Sequence, residues 1–197
     1  LYLAYPPLHY MNLGDFHMEP FASTLLLFAI YYLECGKWVR FLISAFLAMT
    51  TLEFIPLIIM FMVLYGFIMY VRNGYKDRTK ALKFLVLTFI IAVLWFFSAL
   101  KLKAIFNPYT AGVPSHWHRV LQNPMDIPKF LIENLEKKIF YAIAFFAPLA
   151  FVPFLAPTPL LMTLPWFGAS FLSDNPLHYW IYAQYNGCLL YTSDAAD

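Results

Sequence analysis

Of 197 residues, 62% are hydrophobic, 20% aromatic and only 12% charged, where a soluble domain carries roughly 25% charged residues. Too few charges remain to cover a water-facing surface, which excludes a soluble globular enzyme, a nucleic-acid binder and a disordered tail. With a mean hydropathy of +0.65, the chain reads as an all-α integral membrane protein whose obligatory partner is the lipid bilayer, and the formal charge of +2 is too small to imply an anionic partner.

Residues 1–20 form a polar-flecked loop that begins at Leu1 without an initiator Met, so the chain is expected to be a fragment truncated at both ends. Pro20 can open a helix at its first turn, and an apolar segment is predicted near 21–35, closed by Glu34-Cys35-Gly36-Lys37. The run Phe41–Val71 would reach about 46 Å as one helix, too long for a single span. Glu53 followed by Pro56 predicts a break, because proline removes a backbone donor and clashes with the preceding turn; two segments are expected, near 39–52 and 54–71.

The stretch Arg72–Lys83 holds five basic residues, and a span follows near 84–104. A long loop, 107–137, contains His116 and His118, whose spacing occurs in metal sites but has no further ligand nearby. Its C-terminal part places Ile127, Leu131, Leu135 and Ile139 on one helical stripe, which predicts an interfacial helix leading into the next span. Segments near 139–155 and 158–172 complete about six transmembrane helices or half-helices. Residues 188–197 read CLLYTSDAAD, a string that resembles a translated transposase sequencing adapter and is expected to be read-through. Without it Cys35 is left as a lone cysteine, so no disulfide is predicted.

Lysine and arginine in short loops mark the cytoplasmic side, which assigns Lys37, Arg40 and the 72–83 loop to that side in a multi-pass plasma-membrane protein. Residues 1–20, Glu53, the 107–137 loop and residues 172–180 then share the outer face. An ionisable group within a membrane is costly, which makes Glu53 a functional candidate; the bland reading is a protonated Glu53 hydrogen-bonded to a neighbouring helix. Asp15, His17 and Glu19 alternate, so an extended loop would present them on one side, a set suited to a divalent cation or a general base. Equally, Asp15 and Glu19 could simply favour the start of the helix near Pro20. His178 and Tyr179 lie on the same predicted face.

The string YPPLHYMNLGDFHMEPF, followed by Gly36-Lys37-Trp38 and later by Leu164-Pro165-Trp166 and Gln184-Tyr185, resembles a prokaryotic family of polytopic membrane proteins of unknown function related to the GT-C glycosyltransferases. The Leu-Pro-Trp and Gln-Tyr details are similar to archaeal members. Two departures stand out: Met18 replaces a proline, and Thr51-Leu52-Glu53 stands where many members have Lys-Glu-Asp. The resemblance implies a multi-span GT-C-like helical fold and a sugar donor linked to polyprenyl phosphate. It also implies an extracytoplasmic site in which carboxylates act on the acceptor and a divalent cation (Mg or Mn) holds the phosphate. Asp15, Glu19 and Glu53 become the catalytic candidates, His17, His178 and Tyr179 the substrate-binding ones, and Asp15, His17 and Glu19 the metal set. The general base of such enzymes follows the first span, which this fragment is expected to lack. The alternatives are a polytopic transporter or lipid flippase, and a non-catalytic protein that binds lipid-linked sugar.

Overall fold

The computed structural model describes residues 19–72, 75–106, 123–147, 150–155 and 157–172, and every regular element among them is helical. The chain forms two compact units. One comprises residues 18–111 and 156–165, the other residues 1–17, 112–155 and 166–197.

Helix α1 (Glu19–Glu34) carries Pro20 at its second position, where the missing N–H leaves no hydrogen bond unmade. It stops at Gly36, whose φ of +65° only glycine adopts without penalty. The amide of Lys37 donates to Tyr32 O at 2.8 Å and that of Gly36 to Leu33 O at 3.1 Å, a Schellman closure that satisfies the last carbonyls of the helix. Helix α2 (Trp38–Met49) returns alongside α1. Past its C-terminus the hydroxyls of Thr50 and Thr51 donate to Leu47 O and Ala48 O, both at 2.7 Å, and the chain turns through residues 50–54. Helix α3 (Ile55–Arg72) starts with Pro56 in its first turn. Helix α4 (Arg78–Phe106) is capped by Asp77, whose carboxylate accepts from the Lys80 amide at 3.0 Å.

These four helices pack around Leu33, Phe41, Met49, Ile59, Met62 and Leu85, all at or near zero exposure. Alanines line the seams: Ala22, Ala29, Ala45, Ala48, Ala81 and Ala92 are all buried. Small residues there let backbones approach closely, the usual device of helix packing in lipid. Large apolar side chains are turned outward instead. On α4 alone, Val86, Phe89, Ile90, Leu94 and Phe97 are exposed, a surface that water would penalise and hydrocarbon would not.

Two of the six expected segments are helices long and apolar enough, among the described residues, to cross a membrane: Ile55–Arg72 and Arg78–Leu102. At 1.5 Å per residue α1 and α2 reach about 24 and 18 Å, short of a hydrocarbon core about 30 Å thick. The short helices α7 (Pro157–Leu160) and the 3-10 turn Leu161–Thr163 belong to the same unit, with Met162 packed against its core.

In the second unit, the 3-10 turn Pro124–Asp126 leads into α5 (Ile127–Ile132) and α6 (Leu135–Phe146). The continuous interfacial helix expected through Ile127, Leu131, Leu135 and Ile139 is interrupted at Asn134, which adopts φ +54°. Asparagine tolerates this left-handed conformation better than most residues, so periodicity on either side gave no warning of the break. Leu131, Leu135 and Ile139 are exposed, whereas Phe130, Lys138 and Tyr141 form the buried face. The Lys138 ammonium donates to Phe130 O, a carbonyl in the last turn of α5.

The apolar run expected near 139–155 is likewise not one helix. Helix α6 ends at Phe146, Ala150 and Phe151 both have positive φ, and a 3-10 turn follows at Val152–Leu155. Pro148 and Pro153 each remove a backbone donor from this run. Helix α8 (Leu164–Phe171) supplies Trp166, whose indole donates to Tyr141 Oη at 2.9 Å. Phe145, Phe146, Phe167 and Phe171 gather around that pair with ring centroids 5.2 to 6.4 Å apart.

Candidate functional site at one end of the helical unit

The chain reverses at Gly36, at residues 50–54 and between Arg72 and Arg78, which gives the four-helix unit two distinct ends. Glu19 opens α1, and Glu53 lies in the turn that joins α2 to α3. The single reversal at Gly36 therefore brings these acids to the same end, opposite the Gly36 turn.

That end is fixed to α4 by the indole of Trp95, which donates to Met49 O at 2.8 Å while its ring meets Phe46 edge-on at 5.2 Å. Met49 ends α2, so its carbonyl has no partner within the helix, and in an apolar setting an unsatisfied carbonyl costs about 1–3 kcal/mol. Trp95 offsets that cost. Glu53 itself is half-buried just ahead of the first turn of α3, where the positive end of the helix dipole favours a carboxylate.

Of the other candidates predicted from sequence, Asp15, His17, His178 and Tyr179 lie outside the described residues, as do His116 and His118. Among the described residues no three His, Cys, Asp or Glu side chains are grouped to hold a metal ion. The structure thus brings Glu19 and Glu53 to one end of the helical unit.

The opposite end carries a polar cluster that sequence reasoning missed. The Tyr65 hydroxyl donates to Glu34 Oε1 at 3.0 Å, linking the C-terminus of α1 to the middle of α3. Tyr75, in the loop before α4, packs edge-on against Trp38 with centroids 4.7 Å apart. Burial, reinforced by the Glu34 carboxylate, pushes the Tyr75 phenol up to about 12. The signal available in the sequence was Tyr65 itself, a hydroxyl within the run LIIMFMVLYGFIM, which needs a partner wherever that run is buried.

No curated protein and no solved structure matches the chain. A family model does match over residues 1–191, and so takes in the first residues of the adapter-like string as well as both ends of the helical unit. Over that match, the outward-facing apolar surface and the candidate spans α3 and α4 agree with the family's description, and the chain belongs to the family described as Predicted membrane protein (DUF2079).

Proposed function

We propose that this membrane protein is a GT-C-like glycosyltransferase of the plasma membrane, spanning it several times and transferring a sugar from a polyprenyl-phosphate donor on the extracytoplasmic side. The observation that carries the reading is that Glu19 and Glu53 share one end of the four-helix unit, away from the basic loops. On this reading Glu53 would line the substrate pocket, and the general base would come from the segment before residue 1. Asp15, His17 and Glu19 would supply the oxygen and imidazole donors that suit Mg or Mn, and the bound ion would neutralise the donor phosphate. His178 and Tyr179 would contribute hydrogen bonds to the substrate.

The test is sugar transfer in membranes containing the full-length protein and a polyprenyl-phosphate sugar. Asp15→Ala or Glu19→Ala should lower transfer by at least about a hundredfold, the scale of a lost acid–base group, while the folded yield stays unchanged. Retained transfer in both variants would overturn the assignment. A second reading, a transporter or flippase, draws on the shortness of α2 and the break beside Glu53, which resemble the discontinuous helices of transporter sites. It predicts lipid-linked sugar crossing a vesicle membrane without any glycosidic product, an outcome the same assay separates.

A further inference from the structure

The small net charge of the whole chain hides a strong local asymmetry. At the Gly36 end of the helical unit, Lys37, Arg40, Arg72, Lys76, Arg78 and Lys80 are all exposed. The acids beside them, Glu34 and Asp77, are engaged by the protein's own neutral donors: Glu34 by the Tyr65 hydroxyl and Asp77 by the Lys80 amide. Three of the cations are also held in place by tyrosine faces. Lys37 Nζ lies 5.5 Å from the centroid of Tyr31, Arg40 Cζ 5.9 Å from Tyr32 and Arg78 Cζ 5.3 Å from Tyr70.

Such stacking fixes a cation at the height of its ring yet leaves N–H groups directed away from it. Tyr31 is exposed and Tyr32 and Tyr70 are half-buried, a set of rings of the kind that sits at headgroup level in membrane proteins. In a chain that spans a bilayer, cations stacked on such rings would lie near the depth of the lipid phosphates. Helices α3 and α4, the two candidate spans, both end here, at Arg72 and Arg78.

We infer that this end of the helical unit is a binding surface for anionic phospholipid headgroups, with Lys37, Arg40 and Arg78 as its anchored contacts. A lipid phosphate is favoured over a soluble one because the cations ring apolar helix ends instead of lining a closed pocket. Their attraction falls off within a Debye length of the surface. The inference draws on the exposed cations, their tyrosine contacts and membrane-family membership and concerns the end opposite Glu19 and Glu53, so the failure of the transferase reading would leave it standing.

The test uses the full chain in lipid nanodiscs and compares quenching of its tryptophans by brominated phosphatidylglycerol and by brominated phosphatidylcholine. The wild type should prefer phosphatidylglycerol. The triple variant Lys37→Gln/Arg40→Gln/Arg78→Gln should lose that preference, at about fivefold per cation removed. A triple variant of equal charge change elsewhere, Lys101→Gln/Lys129→Gln/Lys137→Gln, should keep it. Raising salt should erase the preference in the wild type while leaving phosphatidylcholine quenching unchanged, a measurement that needs no variant to fold. Equal quenching by the two lipids, equal loss in the two triple variants, or displacement by millimolar inorganic phosphate would each overturn the inference.

Discussion

Tyr75 shows burial and a neighbouring charge acting in the same direction on one side chain. Removing the phenol from water penalises the phenolate, and the Glu34 carboxylate repels it further, so the proton is held up to about pH 12. A group that binds its proton more tightly when folded contributes stability that is complete below its unfolded pKa, about 10. That contribution is lost as pH rises towards 12. In a phenolate-absorbance titration read against Tyr75→Phe, the Tyr75 signal should emerge well above pH 10. Glu34→Gln should lower its midpoint only partway, because burial is the larger cause; a wild-type midpoint near 10 would contradict the packing described for this loop. Glu53 was legible as an outlier because one carboxylate in a long apolar run is conspicuous. Glu34 was not, since an acid at a predicted helix boundary needs no special explanation until its partner, distant in sequence, is located.

At the scale of elements, the strongest local signals gave the right breaks. Pro20, Gly36 and Pro56 each constrain the backbone whatever surrounds them, and helices begin or end beside all three. The interruption after Phe146 also has a local cause in Pro148 and Pro153, whereas a four-residue stripe continued through the one at Asn134 without a sign. Close approach is a tertiary property. Gly66 packs where an added Cβ would come within 2.7 Å of Leu85 Cδ2 and 3.2 Å of Leu33 Cδ1, and both leucines are fully buried. Gly66→Val should therefore destabilise the helical unit by about 1–3 kcal/mol through overpacking, measured as a lower thermal midpoint in detergent. Adding Leu85→Ala should recover part of that loss by vacating the space. Additive losses in the double variant would show that α1, α3 and α4 do not meet at Gly66.

For the molecule as a whole, composition alone established the membrane class, and the exposed apolar face of α4 gives that class a physical form. Chain reversals account for much of the rest of the polarity: Glu19 and Glu53 lie at one end, with Lys101 near the C-terminus of α4, and six exposed cations with their tyrosines gather at the other. Sequence could suggest this separation through the distribution of lysine and arginine, but the number of crossings follows from helix lengths, which only the folded chain supplies. The central claim is that α3 crosses the membrane with Glu53 outside and the Arg72–Lys83 loop inside. The direct measurement is cysteine accessibility in intact cells, with Cys35 and Cys188 replaced by serine and a single reporter at the exposed positions Thr50→Cys or Lys76→Cys. A membrane-impermeant maleimide should label Thr50→Cys in intact cells and Lys76→Cys only after permeabilisation. Labelling of both from the same side would contradict the crossing, and the reverse order would contradict the placement of the acidic end outside the cell.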